Sequence, residues 1–186
     1  AASSTEITCT LEAGAAGMYD VSVVVKSRGV ATQPGSGQLT HEVSLEIFSN
    51  SPTEGSLGGG TTITVSGSGF PATLPGWEGG SVTISGYECK VISSHFDEFQ
   101  CITAAAVGGA RRKRSAAEIS VTIGSSSTTG GSFNYDASLT PAVTAVSPST
   151  SSPLGGDVLT IDGSAFGANW GKILLGDNEC TVISWF

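Results

Sequence analysis

Apolar and polar residues alternate along several short stretches of the chain, as they do in β-strands that bury only one face. Glycine-rich turns such as residues 58–60 and scattered prolines separate these stretches, because glycine tolerates positive φ and proline interrupts a strand ladder. The pattern between residues 47 and 138 predicts six or seven short strands in an all-β sandwich. The clearest predicted strands are residues 61–66, 82–84, 89–92, 99–102, 119–123 and 130–135.

The composition agrees with many short strands and argues against helices. Glycine accounts for 26 of the 186 residues, and only 13% of the residues are charged. Glycine and β-branched residues are weak helix formers, whereas valine, isoleucine and threonine fit a pleated, half-buried surface. With 39% apolar residues, the chain has enough apolar material for a packed core.

The chain repeats its own sequence at two fixed distances. Residues 51–70 are echoed 96 positions later by residues 147–166. Residues 88–93, Glu-Cys-Lys-Val-Ile-Ser, are echoed 91 positions later by residues 179–184, Glu-Cys-Thr-Val-Ile-Ser. Repeats at such distances indicate tandem copies of one structural unit, and their spacing is typical of an immunoglobulin-like sandwich.

The first part of the chain matches the second half of the same unit. Residues 7–10 and 19–25 resemble residues 100–103 and 117–123. The chain is therefore expected to hold one complete unit between two partial ones. The predicted parts are the C-terminal half of a unit (1–46), a complete unit (47–138) and the N-terminal half of a third (139–186).

The four cysteines fit this repeat, since Cys9 takes the position of Cys101 and Cys180 takes that of Cys89. Cys89 and Cys101 are twelve residues apart in the complete unit, which favours a disulfide bond and an oxidising compartment. The alternative is a pair of buried free thiols in a cytosolic protein. A zinc site is not expected, because the chain has no Cys-x-x-Cys pair and its histidines are not at ligand spacing.

Cys9 and Cys180 have no predicted partner within this sequence. We expect them to pair with cysteines of a longer array, Cys9 with one upstream and Cys180 with one just past Phe186. A second hypothesis is head-to-tail association, in which Cys180 of one molecule bonds to Cys9 of the next and the two half units complete a sandwich.

Residues 58–70, Gly-Gly-Gly-Thr-Thr-Ile-Thr-Val-Ser-Gly-Ser-Gly-Phe, resemble the signature of IPT/TIG domains. These are immunoglobulin-like modules of plexins, Met-type receptors, fibrocystin-like ectodomains and Rel-type transcription factors. The Cys89 to Cys101 segment, followed by the strand 119–123, looks like the cysteine-bearing form of the extracellular members. Direct tandem units with a short linker, residues 136–141, are most similar to the fibrocystin-like family. The resemblance implies tandem IPT/TIG sandwiches, one complete and two partial.

The resemblance also implies a non-catalytic structural or adhesive segment of an extracellular or cell-surface protein, with the ciliary membrane as one candidate location. Its expected partners are other extracellular or membrane proteins and neighbouring IPT/TIG domains of the same chain. A net charge of −8 argues against nucleic acid as a partner, and no apolar stretch is long enough to insert into a membrane. No cofactor, metal site or enzymatic activity is expected.

Two alternative functions stay open from the sequence. One is a segment of a plexin- or Met-type receptor ectodomain, although no cysteine-rich PSI module occurs in this sequence. The other is an accessory β-sandwich module of a carbohydrate-active enzyme. Trp77, Trp170 and Trp185 are the candidate carbohydrate platforms of the sequence. Trp77 and Trp170 occupy equivalent loops of the two copies, which favours a structural role.

Arg111, Arg112, Lys113 and Arg114 form the sharpest candidate site in the sequence. The cluster resembles a furin-type processing site, where a protease recognises clustered basic side chains on an exposed loop. The small residues 104–110 before it favour such a loop. The alternative is a solvated basic loop that binds an acidic partner or has no role.

Overall fold

The computed structural model describes residues 5–32, 37–106, 116–168 and 171–184. Within these ranges the protein is almost entirely β, as predicted, and its helical parts are two short 3-10 helices. In the N-terminal segment (residues 5–44), β1 pairs with β4 and β2 with β3, both antiparallel. The strands are β1 (Gly17–Asp20), β2 (Val24–Val25), β3 (Gly29–Val30) and β4 (Thr40–Val43).

The central unit (residues 45–138) forms one eight-stranded sheet. Its strands are β5 (Glu46–Ser51), β6 (Glu54–Ser56), β7 (Thr62–Ser68), β8 (Ser81–Ile84), β9 (Tyr87–Ser94), β10 (Glu98–Thr103), β11 (Ala117–Ile123) and β12 (Ser126–Asp136). They lie in the order β5-β7-β10-β9-β8-β11-β12-β6. Neighbours are antiparallel except β6 and β12, which run parallel. A 3-10 helix, Leu74–Trp77, lies between β7 and β8.

The sheet curls until β12 lies against β5, and this closure makes the immunoglobulin-like β-sandwich. The side chain of Asn50 in β5 joins the two strands. Its Nδ2 donates to the carbonyl of Ser132 at 3.0 Å, and its Oδ1 accepts from the N–H of Ser132 at 2.8 Å. Gly130 of β12 permits the approach, since a Cβ atom there would press on Ile47. We call this arrangement the Asn50 clamp.

Alternate residues of the central strands point into the sandwich and form its core. The ring of Phe99 packs edge-on against Phe70 and Trp77, with ring centroids 4.8 and 5.1 Å apart. Each large apolar side chain buried in this way stabilises the fold by about 1.5–3 kcal/mol. The buried apolar residues are Leu45, Ile63, Val65, Phe70, Trp77, Val82, Ile84, Cys89, Phe99, Cys101, Ile119, Val121, Phe133 and Tyr135.

Strand β7 runs two residues beyond its predicted end. The glycine pattern of residues 67–69 predicts a turn, but Gly67 and Ser68 continue the strand and pair with β5. A Cβ atom at Gly67 would collide with the carbonyl oxygen of Glu46 and the ring of Phe70. This glycine therefore serves the close approach of packed groups rather than a turn.

Strand β6 is a strand that the alternation of residues does not predict. Residues 54–56, Glu-Gly-Ser, carry no large apolar side chain, and the parallel pairing with β12 holds them in place. Gly55 is buried, and a Cβ atom there would approach the ring of Phe133 to 2.8 Å. Close packing against the core thus requires glycine in this strand.

The C-terminal segment (residues 139–184) contains two separate strand pairs. A 3-10 helix, Ala137–Leu139, leads into it from the central unit. Its strands are β13 (Ala142–Ser147), β14 (Thr160–Ser164), β15 (Ile173–Leu175) and β16 (Asn178–Cys180). β13 pairs with β14 and β15 with β16, both antiparallel.

Candidate interaction surfaces

A disulfide bond joins Cys89 of β9 to Cys101 of β10 inside the central unit. Both residues are buried, and their Cα atoms are 5.4 Å apart. The two strands are neighbours in the sheet, so the bond crosslinks a pair that also shares backbone hydrogen bonds. The disulfide predicted from the sequence is therefore present in the structure.

The first junction connects the N-terminal segment to the central unit through direct contacts. The N–H of Ala16 donates to the carbonyl of Gly69 at 2.7 Å. Gly69 has a φ of 79°, and a Cβ atom there would collide with the carbonyl oxygen of Ser44. Leu45 is buried in the core of the central unit immediately after the junction. The two parts therefore meet at close range.

An open groove of about 370 Å³ lies at this first junction. Glu12 and His41 line it from the N-terminal segment, and Glu46 and Asp97 line it from the central unit. Three of these four side chains are carboxylates, whereas most of the lining surface of the groove is apolar. No cluster of three or more metal-ligating side chains occurs among the residues that the structure describes.

The second junction links the central unit to the C-terminal segment through side-chain hydrogen bonds. The carboxylate of Asp136 accepts a hydrogen bond from the N–H of Ser138 at 2.7 Å and so caps the 3-10 helix. The hydroxyl of Thr140 donates to the carbonyl of Asp136 at 3.0 Å and accepts from the N–H of Leu57 at 2.9 Å. These hydrogen bonds hold the link against the loop between β6 and β7.

The C-terminal segment repeats the first strands of the central unit in the same register. Ala142 lies opposite Ser164 in β13 and β14, as Glu46 lies opposite Ser68 in β5 and β7, 96 positions earlier. Both pairs shift register at the matching place. The local sequence therefore produces the same strand pairing twice.

The second strand pair of this segment repeats the hairpin formed by β8 and β9. Leu174 lies opposite Glu179, the pairing that Thr83 makes with Glu88, 91 positions earlier. Cys180 follows at the end of β16, half-buried and with a free thiol. It occupies the position that a disulfide-bonded cysteine holds in β9.

Matching side chains differ in burial between the two regions. Ile84 is fully buried, whereas Leu175 at the matching position is 58% exposed. The N-terminal segment shows the same difference: Val21 is exposed, whereas Ile119 at the matching position of the central unit is buried. Cys9, before β1, is likewise exposed with a free thiol. Each outer segment thus presents core positions to solvent.

Of the remaining candidate sites of the sequence, Trp77 lies in the core of the central unit, and the others lie outside the described residues. Trp77 is buried against Phe70 and Phe99, so it stabilises the sandwich and offers no flat platform for a sugar. Trp170, Trp185 and the basic cluster 111–114 lie outside the described residues. In the part of the chain that is described, no helix is long and apolar enough to cross a membrane.

Tyr135 is a titratable group inside the sandwich. Burial raises the pKa of Tyr135, and the neighbouring Tyr87 raises it further. The hydroxyl of Tyr135 donates to the carbonyl of Ala104 at 3.2 Å, and its ring packs edge-on against Phe133 at 5.1 Å between centroids. The neutral, hydrogen-bonded phenol therefore belongs to the core.

Comparison with known protein families matches the same two regions, the central unit and the C-terminal segment. The IPT/TIG domain family matches residues 45–135 and again residues 141–186. The chain belongs to the IPT/TIG domain family. The first match spans β5 to β12 and the second spans β13 to β16, the two regions that share one register. The resemblance predicted from residues 58–70 is thus confirmed, as is the all-β immunoglobulin-like fold.

Two relatives of this IPT/TIG chain are fibrocystin-L proteins. The chain is 29% identical over 181 residues to Fibrocystin-L of Mus musculus and 31% identical over 179 residues to Fibrocystin-L of Homo sapiens. The alignments cover 96% and 95% of this chain. They span only 4% of the length of either relative.

Among solved structures, the IPT/TIG chain is similar to the full extracellular region of plexin A4. The TM-score is 0.43 at 16% identity, and the match covers 59% of this chain and 9% of that one. A likeness at this level carries no argument about function.

Proposed function

We propose that this chain is a non-catalytic structural and adhesive segment of a large extracellular protein built from tandem IPT/TIG domains, of the fibrocystin-like kind. In this proposal residues 1–46 are the C-terminal half of a domain, residues 47–138 a complete domain and residues 139–186 the N-terminal half of a further one. The observation that carries it is the recurrence of one strand register in successive units.

The two junctions support an extended and semi-rigid array. The hydrogen bond from Ala16 to Gly69 holds the first junction, and the bonds of Thr140 to Asp136 and Leu57 hold the second. Short linkers that are fixed by such contacts restrict bending, whereas flexible polar linkers permit it. An array of this kind separates its ends and presents a long lateral surface to other proteins.

The extracellular location is supported by the disulfide bond and by the relatives. Disulfides persist in oxidising compartments, and the bond between Cys89 and Cys101 lies in the core of the central unit. The proposed partners are other extracellular or membrane proteins and neighbouring IPT/TIG domains. The groove at the first junction offers such partners a largely apolar surface with three carboxylates beside it, Glu12, Glu46 and Asp97. The ciliary membrane is the surface that we propose.

Staining of intact and permeabilised cells tests the location. An antibody against the central unit is applied to cells that express the parent polypeptide, together with a marker of the ciliary axoneme. We expect labelling of intact cells that includes cilia. Labelling of the cell body alone would remove the cilium from the proposal, and labelling only after permeabilisation would overturn the extracellular assignment.

We propose further that the basic cluster Arg111, Arg112, Lys113 and Arg114 is a processing site. A cut after Arg114 separates β10 from β11, but β11 keeps its pairing with β8, and β12 keeps its pairing with β6. The disulfide lies entirely before the cut. We therefore expect two products that elute together in native buffer and separate in denaturant without any reductant.

Secretion from cells with furin-type proteases tests this processing. The wild-type chain is compared with the double variant Arg111→Ala/Arg114→Ala, which removes the recognised charges. Cleavage of the wild type alone supports the proposal. An intact wild-type chain, or equal cleavage of the variant, contradicts it.

A further inference from the structure

Most of the exposed apolar side chains of the central unit lie on one side of one layer. In the described part of this unit, the exposed large apolar residues are Phe48, Leu74, Ile92 and Ile102. Phe48 belongs to β5, Ile92 to β9 and Ile102 to β10, and these strands form one layer with β7 in the order β5-β7-β10-β9. We call the outward side of this layer the β7–β10 face.

Irregular strand pairing turns two of these side chains outward. Phe48 follows Ile47 where the register between β5 and β7 shifts, and Ile92 follows Val91 where the register between β9 and β10 shifts. Ile47 and Val91 pack against the core, whereas Phe48 is 64% exposed. An extra residue at such a bulge redirects a side chain without ending the strand. Ile102 points outward by the ordinary alternation of β10.

The exposure of the β7–β10 face does not depend on residues that flank the chain. β7 and β10 lie in the interior of the layer and have a paired strand on either side. Thr144 matches Phe48, 96 positions later, and it is exposed although the complete central unit precedes it. A complete preceding unit therefore leaves this position open.

The middle of the β7–β10 face is uncharged. Gln100 lies opposite Thr64, and its Nε2 donates to the Oγ1 of Thr64 at 3.3 Å. Thr62 lies opposite Ile102 one step further along the same strands. Aromatic and aliphatic side chains on a surface that lacks charge are typical of the centre of a protein interface.

The two ends of the β7–β10 face carry opposite charges. Glu46 begins β5 and Glu98 begins β10, so both carboxylates lie at the end next to the first junction. Lys90 lies opposite Ile102, near the other end. Glu88, two residues before Lys90, pairs with β8 in the opposite layer. The face therefore has a negative end and a positive end.

We propose that the β7–β10 face docks on the same face of a second copy of the chain, with the strands of the two copies running in opposite directions. This two-fold contact brings Lys90 of each copy to the end of the other copy that carries Glu46 and Glu98, whereas a parallel contact would superimpose like charges. Contact removes Phe48 and Ile102 from water, and this burial provides the driving force. The inference goes beyond the proposed function, because its test requires neither an extracellular location nor a longer array.

The size of the β7–β10 face predicts a weak dimer. Four strands about 4.8 Å apart, each with about seven residues of about 3.4 Å, cover roughly 450 Å² of surface. Stable interfaces bury about 800 Å² on each partner. We therefore expect association only at high protein concentration.

Sedimentation equilibrium of the 186-residue chain tests the docking. Cys9 and Cys180 are replaced by alanine, so that no disulfide forms between molecules. We expect the mass to rise from 18.6 kDa towards that of a dimer as the concentration approaches about 1 mM. A single chain at every concentration overturns the proposal and leaves the face to a partner of another kind. Growth past the dimer overturns the two-fold contact.

Two exposed apolar residues provide a matched pair of variants. Phe48 lies on the β7–β10 face, whereas Leu74, which is 47% exposed, lies in the 3-10 helix outside it. We expect Phe48→Ser to raise the dissociation constant of the dimer about tenfold and Leu74→Ser to leave it unchanged. Equal weakening by both overturns the assignment of the face. Unchanged melting temperatures show that both variants fold.

An exchange of charge tests the direction of the two copies. We expect Lys90→Glu and Glu98→Lys each to weaken self-association several-fold, because each places like charges together across the contact. Mixing the two variants is expected to restore the dimer, since the carboxylate introduced at position 90 of one copy then meets the ammonium introduced at position 98 of the other. A mixture that associates no better than either variant alone overturns the antiparallel contact.

Discussion

The central unit and the C-terminal segment carry the same strand pairs with different surroundings. Ile63 and Val65 of β7 are fully buried, whereas their counterparts Leu159 and Ile161 are only half-buried. The pairing of β13 with β14 nevertheless repeats that of β5 with β7, including the shift in register. Pairing is therefore encoded in neighbouring residues, whereas burial requires strands from the other half of the sandwich.

The largest expected difference in the free energy of unfolding comes from replacing the phenylalanine that occupies matching positions in the two regions. Phe70 is fully buried in the central unit, so Phe70→Ala is expected to lower the free energy of unfolding by about 3–5 kcal/mol through lost burial and a cavity. Phe166→Ala, 96 positions later, removes a half-buried ring and is expected to cost about 1 kcal/mol or less. Guanidinium titration of the monomeric chain measures both. Equal losses would show that the C-terminal segment is already packed.

The cysteine pairs provide the next contrast. Replacement of Cys89 and Cys101 by alanine is expected to cost roughly 3 kcal/mol, because it frees a short closed loop in the unfolded chain. Replacement of Cys9 and Cys180 by alanine is expected to leave the unfolding of the central unit unchanged, since both carry free thiols. Thermal melts of the two double variants decide the matter, and a comparable drop in both would contradict the assignment.

A smaller effect is expected from the Asn50 clamp. Asn50→Ala leaves the backbone groups of Ser132 without their partners, at a cost of about 1–3 kcal/mol. The matching residue of the C-terminal segment is Val146, and Val146→Asn is expected to add no stability because no counterpart of β12 lies beside it among the described residues. Urea titration measures both variants. A stabilising effect of Val146→Asn would indicate a partner strand at that position.

The smallest expected effect is a change in stability with pH, and we expect it only in the packed central unit. The pKa of Tyr135 is raised above its ordinary value of 10.0 by burial and by Tyr87. Above about pH 10 the unfolded chain releases the phenol proton while the folded unit retains it, so the free energy of unfolding falls with rising pH. Tyr135→Phe is expected to remove this part of the decline. Denaturation midpoints between about pH 8 and 11 test it, and identical slopes for wild type and variant would refute it.

The strands that the sequence predicts are those with strict alternation. β7 and β11 alternate between apolar and polar residues, and the structure contains both, with β7 extended by Gly67 and Ser68. β6 escapes prediction because residues 54–56 have no apolar pattern and depend on β12, which lies some eighty residues later. Local periodicity thus identifies strands that bury one face, and distant pairing determines the rest.

Among the candidate sites, the disulfide could be predicted from the sequence, whereas the groove and the Asn50 clamp could not. The repeat assigns Cys89 and Cys101 to one unit, so their disulfide follows from the sequence. The groove at the first junction does not, because its lining residues come from four separate stretches of the chain. The Asn50 clamp is also missed, although Gly130-Gly131 within a predicted strand is a signal for close approach of another backbone.

The parallel pairing of β6 with β12 determines how the central unit responds to tension along an array. A load that enters before β5 reaches β6 from its N-terminal end, and a load that leaves at Thr140 pulls β12 from its C-terminal end. Because Asn134, Tyr135 and Asp136 lie alongside residues 54–56 in the same direction, opposite pulls slide the two strands past one another. The backbone hydrogen bonds between β6 and β12 then bear the load together instead of opening one at a time. This strand pair therefore resists extension of the central unit.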